Sequence, residues 1–429
     1  MALKMAPDMP TLINWDYCTQ SIFPMISTYL LTIVFTATLV ISTPKKSLAR
    51  YASLPILVYL CITIFRQGFR AFPKNPVMVS NWACQGYNIF LQTTTITLLE
   101  HIDIMDPVIS KPRNGHPPSY FVRLWRAMAY CVNARGINTP YQIKNVPSFD
   151  SKRPGWVPSR RRFLFTNFLW FVVLYTIQDS FYKPELALTI EDEKKFLGTD
   201  RENLVWRRPE DGVITGNEIG YRIFMEMLMW LIMIPLSVNL RYTFWSLVAV
   251  GLGLSEPKNW PPPFDSAKES YTLRLFWGKF WHQTLRWHFG KPAQFITHNL
   301  LNLPKKGLIQ RYTNIFLVFF LSGIMHANQS LILLGAEGRE IRLKGWYREI
   351  IFFMIMATGI MVEDGAQWLF RGEKVRKSEE KEGHVLWKRV LGYMWVWGLL
   401  VMVGPLIDYP KVRARLPTWL PFRLFAILR

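Results

Sequence analysis

The feature that most constrains this chain is the length of its uncharged apolar runs. Ile22 to Ile41 is nearly continuous apolar sequence without a charge. A helix of about twenty such residues crosses the ~30 Å hydrocarbon layer of a bilayer. Phe163 to Tyr182, Ile223 to Leu240, Ile315 to Leu334, Ile350 to Phe370 and Val390 to Ile407 are similar, with few internal charges. Two weaker segments lie at Ala52 to Phe65, which is short, and Trp82 to Leu99, which carries several Thr and Gln. Each reads as either a span or an interfacial piece. Tyr242 to Leu254 is too short to span alone and reads as re-entrant. The first block lacks a small-residue cleavage site and reads as an anchor, not a removed signal. The expectation is an all-α, polytopic transmembrane helix bundle with about eight spans and interfacial helices, forming one membrane domain over residues 1–429.

Charge first points elsewhere. The chain holds 51 Lys plus Arg against 30 Asp plus Glu, a net +21, which in a soluble protein would suggest nucleic acid. Yet only 19% of residues are charged, below the usual ~25%, and mean hydropathy is +0.10. Disorder is excluded by the apolar content. A disulfide-stapled module is excluded because Cys18, Cys61, Cys84 and Cys131 show no framework or ligand spacing. By segment, Glu100–Arg162 holds 11 basic and 4 acidic residues, Ser255–Asn314 holds 9 and 3, and Arg371–Arg389 holds 7 and 4. Lys183–Arg222 reverses the sign with 7 against 9. With one crossing per strong block, the basic loops fall on one side, which the positive-inside rule makes cytosolic. The surplus is an orientation signal, and nucleic acid drops out. If both weak segments span, both chain ends are lumenal; the basic tail (Lys411, Arg413, Arg415, Arg423, Arg429) argues against that.

Polar residues inside spans are costly and mark function by default. His326 stands inside Ile315–Leu334, with Ser322 four residues before it and Ser330 four after, so all three share one helical face. Gly323 and Gln329 flank that face, and a glycine there would let another backbone or a substrate come close. Either His326 is satisfied by a neighbouring helix and pins the bundle, or it is functional. Its unperturbed pKa of ~6.5 suits it to accept a proton near neutrality. The preceding loop, Asn259 to Trp287, crowds Trp277, Trp281 and Trp287 with Phe276, Phe280, Arg274, Lys279 and Arg286. That mixture reads as an interfacial helix at headgroup level. His282 is harder to explain so, because Trp281-His282-Gln283 closely follows Phe276-Trp277-Gly278, where the glycine could permit a turn or a close approach.

These two segments resemble the wax-synthase-like branch of the membrane-bound O-acyltransferase family, particularly its fungal members, from about Trp260 to Gly404. Phe276-Trp277-Gly278-Lys279-Phe280-Trp281-His282 is similar to the family's FWG-x-x-W-[NH] signature, and Ser322-Gly323-Ile324-Met325-His326 to its S-G-x-x-H signature. His282 stands where plant members have Asn. The resemblance implies acyl transfer from acyl-CoA to a hydroxyl in the endoplasmic reticulum membrane, with no bound cofactor or metal and no covalent acyl-enzyme. His326 would be the general base, and His282 would orient the donor or stabilise the oxyanion. Arg274, Lys279 and Arg286 would attract the phosphates of CoA, or else snorkel to lipid phosphates. The fungal likeness points to acetyl-CoA and a lipophilic terpenoid or meroterpenoid alcohol; the wax-synthase alternative is a long-chain acyl-CoA and a fatty alcohol.

Other signals are weaker. His101 to Asp106 matches H-x-x-x-x-D, used by a different glycerolipid acyltransferase class. Asn328-Gln329-Ser330 is formally a glycosylation acceptor but lies inside a span. Glu226, Glu363 and Asp364 could form a proton path, or Glu363 and Asp364 could face water or a basic partner. A transporter would use broken helices, inverted repeats and paired intramembrane charges, none of which is evident in the sequence.

Overall fold

A computed structural model of the chain describes residues 18–112, 116–182, 189–202, 204, 212–335, 339–370, 382–417 and 420. Among the described residues every regular element is helical. The chain divides into two compact units, Met1–Val132 and Asn133–Arg429.

The first unit contains α1 (Phe23–Ser42), α2 (Leu54–Ala71), α3 (Pro76–Thr94, continued by a wide turn at Thr95–Leu99) and α4 (Tyr120–Cys131). Helix starts follow local chemistry. Pro24, Pro55 and Pro76 occupy first-turn positions that lack an N–H partner anyway. Asn75 Oδ1 accepts from Met78 N at 3.1 Å and caps α3. Hydroxyls within α1 return to its own backbone, Thr28 to Pro24 O at 2.7 Å and Thr32 to Thr28 O at 2.9 Å. These two hydroxyls need no water, which suits a helix in lipid. The turn after α3 also explains half of the His101–Asp106 pattern, since Asp106 caps the turn Pro107–Ser110 through Val108 N at 3.0 Å.

The second unit contains α5 (Arg160–Ser180), α6 (Ile190–Leu197), α7 (Gly216–Gly251), α8 (Arg286–Phe295), α9 (Leu308–Leu333), α10 (Arg339–Phe370), α11 (Glu382–Val403) and α12 (Pro405–Arg413). Five stretches among the described residues are long and apolar enough to cross a membrane: Gln20–Ser42, Leu48–Ala71, Gly216–Gly251, Leu308–Leu333 and Leu386–Val403. Large apolar side chains face outward on them, such as Leu31, Tyr59, Phe224, Trp245 and Met394. Outward apolar faces of that extent require an apolar surrounding.

Three expectations are corrected here. The short segment Ala52–Phe65 belongs to the longer helical stretch Leu48–Ala71. Tyr242–Leu254 is no re-entrant piece: to Gly251 it continues α7, whose 36 residues extend about 54 Å at 1.5 Å per residue. A wide π-turn at Leu228–Met233 precedes Pro235 in this helix and absorbs the proline's missing donor. Finally, the aromatic loop segment is no surface-lying amphipathic helix. Phe276, Phe280, Trp281 and Trp287 are buried, the first three in one core with Trp230, Phe352 and Phe353. The charged run Arg371–Lys381 lies outside the described residues.

The basic chain end also finds its explanation. Arg415 pairs with Glu193 at 2.9 Å, Arg413 pairs with Glu202, and Lys411 pairs with Glu349 at 2.7 Å. Arg413 also donates to Leu197 O. The acid-rich 183–222 segment and the basic residues after α11 therefore meet at one end of the second unit. Arg423 and Arg429 lie outside the described residues.

Candidate active site

The loop that enters the aromatic segment is held by a buried arginine. Arg135 donates to Pro261 O at 2.5 Å, Pro262 O at 2.8 Å and Tyr242 Oη at 2.6 Å. Consecutive prolines leave carbonyls without matching N–H groups, and the guanidinium fork satisfies them. Beyond it, Thr272 Oγ1 caps the next turn through Leu275 N at 3.0 Å, and Glu363 Oε2 on α10 accepts Leu273 N at 2.7 Å. Phe276–Phe280 then forms one π-turn, after which Trp281 is extended. Gln283 Nε2 ties the turn together by donating to Trp277 O at 3.1 Å and Trp281 O at 2.5 Å. Gly278 meets open space, so it permits the turn and not a close approach.

This geometry sets His282 beside two aromatic rings, Trp281 at 5.5 Å and Phe264 at 5.6 Å, the latter edge-on at 87°. Its Nδ1 lies 2.8 Å from Thr284 Oγ1. Burial pushes its pKa down to about 3, with the charges of His326, Arg241 and Arg135 acting the same way. His282 is therefore a neutral imidazole at physiological pH, with a single N–H to offer. When Thr284 donates to Nδ1, that proton sits on Nε2.

His326 lies on α9 one turn from Gly323, where α10 packs closely. A Cβ on Gly323 would sit 3.0 Å from Ile350 Cα and 3.6 Å from Glu349 O. The glycine thus admits a backbone, as its position beside the histidine face led one to expect. Across the crossing, the His326 ring stacks on Phe353 at 5.0 Å and 21°. Trp277 packs on the same Phe353 at 6.0 Å. Phe353 is therefore the piece that joins the two motifs. Gln329 hydrogen-bonds His326, and Ser330 Oγ donates to Glu349 on α10.

Glu349 was absent from the sequence-derived candidates. It is 1% exposed and ion-paired to Lys411. Beyond it, Asp408 on α12 hydrogen-bonds Glu226 on α7, whose Oε2 accepts Trp230 Nε1 at 3.1 Å and rests against Gly404. Glu226, Glu363 and Asp364 do not form one path. Glu363 holds the Leu273 backbone, and Asp364 binds Arg274, Arg311 at 2.7 Å and Tyr312 at 3.1 Å. The reading of Asp364 as the acceptor for a basic partner is the one that holds. The sequence signal for Glu349 and Lys411 was present but faint: each is a charge just outside an apolar block.

The three basic candidates do not converge on one point. Arg274 is held by Asp364. Lys279 pairs with Glu269 at 3.3 Å and lines an open cavity of about 630 Å³ with Asn138, Asn145, Lys258 and Ser266. Arg286 donates to Gly278 O and to Gln283 Oε1, both at 3.0 Å. Asn145 donates to the same Gly278 O at 2.8 Å.

A family model described as membrane bound O-acyl transferase family matches residues 260–355. The chain is 31% identical over 410 residues to acetyltransferase atnC of Arthrinium sp, covering 92% of this chain and 90% of that one. It is 29% identical to acetyltransferase cdmC of Talaromyces verruculosus (89% and 87% covered) and 28% identical to acetyltransferase TRI7 of Fusarium sporotrichioides (94% and 90%). No solved structure matches.

Proposed function

The chain belongs to the membrane-bound O-acyltransferase family and is an acyl-CoA-dependent O-acyltransferase, and from that premise we propose that it acetylates a hydroxyl of a lipophilic terpenoid or meroterpenoid with acetyl-CoA as donor. The names of the relatives, all acetyltransferases, support the short acyl group. The observation that carries the mechanism is the stack of His326 on Phe353, which Trp277 of the other motif also contacts.

His326 takes the proton of the acceptor hydroxyl as its oxygen attacks the thioester carbon. A C–O bond forms, the carbonyl oxygen becomes an oxyanion, and the His282 N–H donates to it. Collapse breaks the C–S bond, and the imidazolium of His326 returns its proton to the leaving thiolate. The products are the ester and free CoA thiol. A neutral His282 suits this role, because it does not compete for the acceptor's proton.

Lys279 and Arg286, at the turn beside the 630 Å³ cavity, are proposed to receive the phosphates of CoA. Arg274 is proposed to join them, although Asp364 already holds its guanidinium. The spans are proposed to number about eight, adding the helices Pro76–Leu99, Arg160–Ser180 and Arg339–Phe370 to the five long apolar stretches. They would set the enzyme as a multi-pass protein of the endoplasmic reticulum, with residues 1–429 acting as one acyltransferase domain and its motifs in 260–404. Coverage of nearly the whole chain by the relatives supports that extent.

The test is release of free CoA thiol by membranes expressing the full chain. Acetyl-CoA and palmitoyl-CoA are compared against a panel of sesquiterpene, diterpene and sterol alcohols and hexadecanol. Acetyl transfer to a polycyclic alcohol, abolished by His326→Ala, is expected. Preference for palmitoyl-CoA and hexadecanol sinks the acetyltransferase reading, and undiminished release by His326→Ala sinks the base assignment.

A further inference from the structure

A buried carboxylate beside a catalytic base needs a reason. Glu349 is 1% exposed within the helix bundle, where an ionised side chain is expensive unless fully engaged. Half of it is engaged. Oε1 receives both the Lys411 ammonium at 2.7 Å and the Ser330 hydroxyl. Oε2 has no hydrogen-bond partner among the described residues. Lys411 is the ordinary explanation for keeping the carboxylate ionised, but it does not explain why one oxygen is left open.

Helical spacing supplies the explanation. Ser330 lies one turn beyond His326 on α9, and Phe353 one turn beyond Glu349 on α10, so each pair shares a face. Ser330 touches Glu349 and His326 stacks on Phe353. The two faces meet with His326 and Glu349 on the same seam, where the carboxylate of Glu349 favours a positive charge on His326 and the ammonium of Lys411 opposes it. From this arrangement we propose that Glu349 is the positioning counter-charge for His326, its open Oε2 held in reserve for the imidazolium N–H that appears when the base takes the acceptor's proton. Lys411 and Ser330 clamp Oε1 and so aim Oε2. The ground state stays neutral as a Glu349–Lys411 pair, and the transition state gains an attraction that the ground state lacks. That is the condition for an interaction to raise kcat. The inference rests on the reading of His326 as base.

The discriminating experiment separates charge balance from catalysis. Glu349→Gln alone takes the ion-pair partner from the half-buried Lys411, so loss of folding could mimic loss of rate. The double variant Glu349→Gln/Lys411→Met removes both charges, and removing a buried pair together is commonly tolerated. Both are purified as full chains in detergent, checked by thermal melting, and assayed with acetyl-CoA and the best acceptor of the panel above. The double variant is expected to melt like the parent, to hold KM for acetyl-CoA within about twofold, and to lose about tenfold or more in kcat. Glu349→Asp, which keeps the charge, is expected to recover part of that loss. If the double variant folds and turns over at the parental kcat, the pair is structural and the proposal is overturned. His326→Ala is run alongside. Inactive His326→Ala with a fully active double variant overturns only the counter-charge, whereas active His326→Ala overturns the base itself.

Discussion

Gly323→Ala is the most informative single perturbation of the α9–α10 seam. The added Cβ lands 3.0 Å from Ile350 Cα and 3.5 Å from Ile350 Cγ1. Carbon atoms rest at about 3.5–4.0 Å, so the first contact is short by roughly 0.5–1 Å. The side-chain carbon can rotate away, but the Cα cannot move without its helix. The helices must part by a few tenths of an ångström or more at a point one turn from His326. Ile350 adjoins Glu349 and precedes Phe353 by one turn, so the same displacement loosens the Ser330–Glu349 bond and the His326–Phe353 stack. Overpacking of this kind costs about 1–3 kcal/mol of stability. Misplacement approaching 1 Å costs up to ~100-fold in rate. Expected outcomes are a lower melting temperature and a kcat reduced about 10- to 100-fold, with Gly323→Val worse than Gly323→Ala. KM for acetyl-CoA should stay near the parental value, because Lys279 and Arg286 lie on another segment. Thiol-release kinetics on purified protein, normalised to folded fraction, provide the measurement. Parental kcat in Gly323→Val would refute the idea that the close crossing sets the site.

Arg135→Met should destabilise the second unit by about 1–3 kcal/mol, since it strands the Pro262 carbonyl, whereas Pro261 O keeps the Tyr242 hydroxyl; thermal melting checks this. Lys279→Ala should raise KM for acetyl-CoA up to about fivefold, the scale of an exposed ion contact of ~1 kcal/mol, with kcat unchanged and the effect weaker at high salt. His282 titrates at about 3 in the folded protein against ~6.5 unfolded. The unfolded state therefore binds the extra proton as pH falls below 6.5, and stability declines from there toward pH 3. His282→Gln should flatten that decline by up to about one proton, or ~1.4 kcal/mol per pH unit, although His288, pushed to about 4 by burial, contributes a similar slope. The parental pH–rate profile should accordingly show no limb from His282 near neutrality. Replacing Asp364 with Asn should release Arg274 and Arg311 together; if Arg274 serves CoA, KM for acetyl-CoA falls or holds, and a marked rise assigns the cluster to structure alone.

Much of the site was legible before any fold was known. His326 stood out because a titratable ring in an apolar helix has few bland reasons to exist, and Ser322, Gly323 and Ser330 marked its face by spacing alone. The Trp277–His282 segment stood out by motif, but its chemistry was misjudged. Aromatic and basic residues in alternation look alike whether they lie on headgroups or close a core, and only the burial of Phe276 and Trp281 separates the two. Glu349 and Lys411 were overlooked for a related reason. A charge beside an apolar block ordinarily faces water, and the sequence carries no mark of two such charges meeting inside.

The length of the apolar helices and the helical face that carries His326 are set by quantities that sequence carries directly: the thickness of a bilayer and the periodicity of a helix. What tertiary structure decided is the pairing of elements distant along the chain. It joined the acid-rich segment to the basic chain end through the Arg413–Glu202 and Arg415–Glu193 pairs. It carried α7 unbroken past Arg241 to Gly251, where the sequence had suggested a separate re-entrant piece. Above all, it brought Glu349 and Lys411 to the seam beside His326. Local sequence encodes the direction in which a side chain leaves its own helix, whereas its counter-charge depends on which helix packs opposite, and that is a property of the whole fold.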